Sequence, residues 1–144
     1  MSDEPRQMEE LSRAESLRLL GTVAFGRVGF TVRGLQAIRP VNHLVEGEKV
    51  IIRTREWSDL AAVSSGEGAS VAYEADDIDT DRHLGWSVVV RGQLQAVSEP
   101  EEAARYQQRV STWAPGSRDH ILFIEPVFVS GIRLVEPTGG PIEE

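Results

Sequence analysis

The stretch TVAFGRVGFTVRGLQAIRPVNHLVEGEKVIIRT, residues 22–54, decides how the chain folds. TVAFGRVGFTV, LQAIRPVNHLV and KVIIRT read as strands, each rich in branched or aromatic residues and bounded by turn formers. Arg33-Gly34 makes the first reversal and Glu46-Gly47 the second, and connections this short join antiparallel neighbours. The stretch is therefore a three-strand antiparallel meander. The alternation of its first strand slips near Gly26-Arg27, which predicts a bulge or sharp coiling there. Val50, Ile51 and Ile52 form an unbroken apolar run, so the third strand needs cover on both faces.

Elements of the same kind extend outward from the meander. Upstream, Leu11, Ala14, Leu17 and Leu20 give a helical stripe from about Met8 to Leu20, stopped by Gly21. Downstream, Ser58 is a plausible N-cap for a short helix ending near Ser64, followed by the strand ASVAYEAD. GWSVVVRGQLQAVS is a long fifth strand whose Val88, Val89 and Val90 again leave no polar face. A second helix is expected from Ser98, with Pro100 and Glu101 in its first turn, running through EEAARYQQRVS. HILFIEPVFVSGIRLVE is the last strand, with interruptions expected at Pro126 and Gly131. This order predicts a mainly β chain, α+β by count: a six-stranded antiparallel barrel with flanking helices. It divides into an N-terminal helical segment (1–20), a barrel domain (21–136) and a flexible tail (137–144). In one small barrel the two doubly apolar strands are most simply covered by another subunit, so a homodimer is expected.

Composition narrows the function. The chain has 144 residues with a formal net charge of −8, which disfavours binding nucleic acid through a broad basic surface. No apolar stretch approaches the roughly 20 residues that span a bilayer, so neither a membrane nor a nucleic acid is expected as partner. The N-terminus, MSDEPRQMEE, lacks the basic-then-apolar layout of a secretion signal, and cytoplasmic residence is the default. With no cysteine, disulfides, thiolate metal sites and cysteine nucleophiles are excluded.

Catalytic motifs are missing too. His43, His83 and His120 form no HExxH, and no two of them share a helical turn. DDIDTDRH (76–83) begins like a calcium loop through Asp77, Asp79 and Asp81. It then fails, with Arg82 where glycine is needed and Val88 where the bidentate glutamate belongs. A solvated acidic turn is the reading that survives. There is no GxSxG, no phosphate-cradling GxxxxGK[ST] and no GxGxxG.

What remains is a set of binding groups at strand ends: Arg39, Pro40, Val41, Asn42 and His43; Arg53 and Thr54; Ser58; Trp86 and Ser87; and Trp113 with Arg118 and His120. Guanidinium groups, hydroxyls, backbone amides and indoles suit a planar, polar, phosphorylated ligand. Packing in the core or at an interface is the competing role for Trp86 and Trp113.

Three segments carry a likeness to a known family: IRPVNHLVEGEKVIIRTREWSDL, VAYEADDIDTDRHLGWSVVVRGQLQAV and WAPGSRDHILFIEPVFVSGIRL. Together they resemble the pyridoxamine 5'-phosphate oxidase-like proteins of the flavin-binding split β-barrel superfamily, over about Gly21 to Leu134. The resemblance implies a split barrel, a homodimer with flavin sites at the subunit interface, and FMN, a deazaflavin or haem as cofactor. It places Arg39–His43 along the isoalloxazine edge and gives Arg53, Thr54 and Ser58 the phosphate. Trp86, Ser87, Trp113 and Arg118 would approach the flavin from a neighbouring element or the other subunit. A haem would take His43 or His120 as axial ligand. The implied activity is an FMN-dependent oxidoreductase acting on an unknown small molecule. Many such relatives carry lysine after the serine of the phosphate turn, where this chain has Asp59. A carboxylate beside a phosphate opposes binding, so a non-catalytic split barrel with weakened flavin binding is the alternative.

Overall fold

The computed structural model describes residues 5–55, 59–63, 68–110 and 119–137. Among these residues seven strands occur in the order β1 (Gln7–Leu11), β2 (Phe25–Val32), β3 (Leu35–Glu46), β4 (Lys49–Arg55), β5 (Ala69–Asp79), β6 (Leu84–Ala96) and β7 (Asp119–Val135). Three helices punctuate them: α1 (Arg13–Leu20) before β2, α2 (Asp59–Val63) after β4 and α3 (Pro100–Arg109) before β7. The sheet runs β1-β7-β4-β3-β2-β5-β6, and β6 also pairs with β7. That last pairing closes β2 to β7 into the expected six-stranded antiparallel barrel, and β1 adds a seventh strand alongside β7.

The meander forms as its sequence predicts. Arg33 and Gly34 both take positive φ (51° and 79°), the combination a two-residue hairpin turn needs to match strand twist. No bulge occurs at Gly26-Arg27. The β2–β3 ladder runs in step from Phe25↔Asn42 to Val32↔Leu35. Gly26 is required for space instead: a β-carbon there would stand 2.5 Å from the Glu74 carbonyl oxygen and 2.7 Å from the Tyr73 ring. The bulge lies between β6 and β7. Arg91 pairs with Phe128 and Gly92 with Pro126, so the ladder skips Val127. Pro126 and Gly131 therefore do not break β7, which continues through both as a bent strand of 17 residues.

The N-terminal segment also differs from expectation. Residues 7–11 are a strand paired with β7 from Gln7↔Val135 to Leu11↔Gly131, and the helix begins only at Arg13. Its start is capped by Ser12, whose Oγ accepts from the Glu15 amide at 3.1 Å, while the Glu15 carboxylate accepts from Arg18 and Arg133. Helix α3 is capped by Glu99 rather than Ser98, with Pro100 at the first position.

One core fills the barrel, built on Val28, Tyr73, Val88, Val90, Leu122 and Ile124 among others, with Leu60 of α2 and Leu20 of α1 closing it. A smaller cluster lies outside the barrel wall, where Tyr106 and Val110 at the end of α3 cover Ile51 and Ile121. The second face of 50–52 is thus covered by a helix of the same chain. Along β6, Val88 and Val90 are buried while Val89 is half-buried on the opposite face. The run 50–52 therefore needs no second subunit for cover, while Val89 stays partly open on the outer face. Glu46 fastens α3 from the end of β3, accepting from Tyr106 Oη at 2.9 Å and pairing with Arg109 and with Arg105 at 3.4 Å. These arginines and the Tyr106 hydroxyl hold the Glu46 carboxyl below its ordinary range, Arg109 foremost. Replacing Gly26 by alanine pushes a methyl group into Tyr73 and a backbone carbonyl. The expected loss of stability is about 1–3 kcal/mol, read from urea midpoints of the two proteins.

Candidate functional site

Strand alternation divides the stretch 39–43 between two faces. Val41 and His43 point into the barrel, and Arg39 lies on the same side at its mouth. Pro40 and Asn42 belong to the outer face.

His43 is a structural residue of the core. Its backbone N–H donates to Ala24 O at 2.9 Å. Its Nε2 lies 2.8 Å from the Leu20 carbonyl oxygen, which can only accept, so Nε2 carries the proton. Nδ1 then accepts from the Tyr73 hydroxyl, and the two rings meet edge to face with centroids 5.2 Å apart. Burial lowers the pKa of His43, against the opposing effect of its Leu20 hydrogen bond, and pushes the Tyr73 hydroxyl far upward. With both nitrogens engaged, His43 offers no lone pair to a haem iron. Tyr73 is not a residue the sequence singles out, because no local pattern links it to a histidine 30 positions away.

On the outer face, the register aligns Arg53 of β4, Asn42 of β3 and Phe25 of β2, and in the next row Pro40 and Arg27. Together they make a shelf with the Pro40 pyrrolidine ring and the exposed Phe25 ring on it, while Asn42 is buried at 8% exposure. The Arg27 guanidinium sits 5.7 Å from the Phe25 centroid. Arg53 bounds the shelf, and its Nη1 donates to Gln107 O at 2.9 Å and Val110 O at 2.8 Å. A cation at these last carbonyls of α3 is favoured by the helix dipole. Thr54 pairs with His120 of β7. Phe25 and Arg27 were missed by sequence reasoning, although alternation along FGRVGF places both outward once the hairpin register is known.

Asp59 does not stand as a lone anion. Its carboxylate lies 3.9 Å from Arg33 Nη2 and 3.7 Å from Arg39 Nη2, two cations around one negative charge. Arg39 also lies 5.9 Å from the Phe30 ring centroid. These pairs are loose and partly exposed, so each contributes little stability and can be exchanged for another anion.

The remaining candidates are scattered. Trp86 is 8% exposed within the core, opposite Asp77 and Arg133. Ser87 lies opposite Asp76. Ser58, Trp113 and Arg118 fall outside the described residues. The structure thus joins Arg39 to Asp59 and Arg53 to Asn42, while His43 and Trp86 serve the interior. The acidic turn after β5 is closed by Asp79, whose Oδ1 accepts from the amides of Asp81 and Arg82 at 3.0 and 3.1 Å. Among the described residues no three His, Asp or Glu side chains come together to hold a metal.

A model of the pyridoxamine 5'-phosphate oxidase family matches residues 12–133. The chain belongs to this family. It is 48% identical over 139 residues to the uncharacterised protein Rv0080 of Mycobacterium tuberculosis, covering 94% of this chain and 91% of that one. Among solved structures, the FAD-binding protein of Mycobacterium smegmatis is 31% identical, with a TM-score of 0.68 over 88% of this chain and 98% of that one. A proposed pyridoxamine 5'-phosphate oxidase of Corynebacterium glutamicum is 27% identical, with a TM-score of 0.75 over 95% and 99%. No helix among the described residues is long and apolar enough to cross a membrane.

For this member of the pyridoxamine 5'-phosphate oxidase family, the buried imidazole has a pH signature. The folded state holds His43 neutral with a pKa below its ordinary 6.5, while the unfolded chain takes up the proton. Stability is therefore lost as pH falls below about 6.5. The drop in urea midpoint from neutral pH to about pH 5 is expected to be smaller in His43→Gln than in the parent protein.

Proposed function

We propose that this protein binds a flavin nucleotide, FMN, on the shelf of Pro40, Asn42, Phe25 and Arg53, and that it works as a homodimer passing electrons to a small molecule. The observation that carries this is the pair Arg33 and Arg39, two exposed guanidinium groups gathered at the barrel mouth and, among the described residues, sharing the Asp59 carboxylate. Arg39 and Pro40 are consecutive on β3 and point to opposite faces, so a phosphate on the shelf would reach the long Arg39 side chain only around the barrel mouth. The 31% identity to an FAD-binding protein supports a flavin, since FAD contains the same riboflavin 5'-phosphate.

Arg39 and Arg33 would hold the phosphate by charge-assisted hydrogen bonds. Pro40 and Phe25 would cover a face of the ring, and the Asn42 amide would hydrogen-bond its edge. A bound flavin supplies the electron transfer, and the chain supplies binding, orientation and charge. Asp59 is the group that sets phosphate affinity, because a phosphate must compete with it for both arginines.

Self-association is supported by the outer face of β2, β3, β5, β6 and β7. A groove of about 800 Å³ opens there over Gly29 and Ala72, walled by Ile38, Val127 and Phe128, which are 66%, 72% and 57% exposed. An apolar patch of this kind on a soluble protein marks an interaction site. The same face carries Arg27 and Arg91 beside Glu74 and Asp76. A face bearing both signs can complement its own copy across a twofold axis.

Fluorescence titration of the full-length protein with FMN, and with riboflavin as the phosphate-free control, tests the reading. FMN is expected to bind at micromolar concentration and more tightly than riboflavin. Arg39→Ala should weaken FMN roughly 10-fold and leave riboflavin unchanged, the scale of one charge-assisted contact. Asp59→Asn should tighten FMN about 3- to 10-fold by freeing both guanidinium groups. Failure to bind either ligand would remove the flavin reading.

A further inference from the structure

Three charged residues stand together on the outer face, one row from the groove. Arg27 of β2 is opposite Glu74 of β5, and Asp76 follows two residues along on the same face. Arg27 Nη1 lies 3.3 Å from Glu74 Oε1 and 3.8 Å from Asp76 Oδ2, so one guanidinium serves two carboxyl groups. Glu74 and Asp76 thus place two carboxyl groups around one cation on the same face, one negative charge in surplus when both are ionised. From β6, Val89 faces Glu74 directly, with Ser87 and Arg91 on either side along that strand's outer face. Arg91 is drawn away over the Phe128 ring, 5.3 Å from its centroid. Arg27 and Asp76 are thus the charges beside Glu74, and Arg91 is the next cation.

We propose that two copies of this chain meet across this face with Glu74 protonated, so that forming the dimer takes up one proton per subunit. This rests on the self-association part of the function proposed above. In the separate protomer the face can keep both carboxylates ionised, because water solvates the surplus negative charge. Against a second copy that water is removed, and a surplus anion on each side is costly. Protonation of Glu74 leaves Arg27 paired with Asp76 and the face neutral there.

The direction of the pH dependence follows. Partial burial and Asp76 already raise Glu74 to about 7 in the single chain. Docking removes more water and raises it further, so the dimer holds its protons to higher pH than the protomers do. Association is strongest below about pH 7 and weakens as pH rises through the interval between the two pKa values.

The test is sedimentation equilibrium of the full-length protein at several pH values from about 6 to 9. The dimer dissociation constant is expected to rise on the order of 10-fold across this interval in the parent protein and to stay flat in Glu74→Gln, which keeps the shape without the charge. Asp76→Asn removes the neighbouring anion, so its rise should be displaced to lower pH. A dimer whose dissociation constant does not change with pH in the parent protein overturns the proton uptake and leaves self-association standing. A pH dependence that persists unchanged in Glu74→Gln also overturns it, because another group then carries the proton. A chain that stays monomeric throughout removes the self-association and this proposal together.

Discussion

The barrel depends on β7, because its pairing with β4 on one edge and β6 on the other closes the ring of strands. Its first half pairs with β4, its second half with β1, and nearly its whole length with β6. A strand of 17 residues that pairs with β6 on one edge and with β4 and then β1 on the other cannot stay straight in a closed barrel. The skipped residue Val127 takes up the mismatch by bending the strand where Pro126 removes a ladder donor. Val127 and Phe128 are thereby turned outward, and the apolar groove on the outer face exists because the barrel closes in this way.

Closure also explains the division of labour at the candidate site. Inside the wall, His43 and Tyr73 are held in a satisfied chain of hydrogen bonds. Leu20 O, His43 and Tyr73 tie the end of α1 to β3 and β5, and an unpaired member would cost the full desolvation of a buried polar group. Outside the wall, water permits looser arrangements. At the barrel mouth Arg33, Arg39 and Asp59 share charge at distances beyond hydrogen bonding, and on the outer face Arg53 rests on the carbonyl end of α3. A ligand can recruit groups of this second kind cheaply, and groups of the first kind only by damaging the core.

Several features were legible because their cause lies within a few residues. Arg33-Gly34 is a hairpin turn by its own backbone preferences, and the meander around it follows from periodicity. Ser12 to Glu15 spells a capping-box pattern that would have moved the start of α1 to Arg13, had the apolar spacing of Met8 and Leu11 not imitated a helix. Pro126 was misread for the opposite reason. Proline in a strand signals a break locally, and only the facing Gly92 reveals that the chain passes through.

By itself the sequence determined the kinds of elements and their order from α1 onward, since side-chain period, turn chemistry and caps are short-range properties. It also determined which chemistry was absent, through its lack of cysteine and of phosphate loops. Only the tertiary structure decided which side chains meet. IRPVNH looks like one binding stretch, yet alternation sends Arg39 to Asp59, Asn42 to the shelf and His43 to a tyrosine 30 residues away. Arg53 finds its carbonyls 54 and 57 residues downstream. Such pairings are fixed by strand register and barrel closure, which arise from the cooperative packing of the whole chain and leave no mark on any one segment.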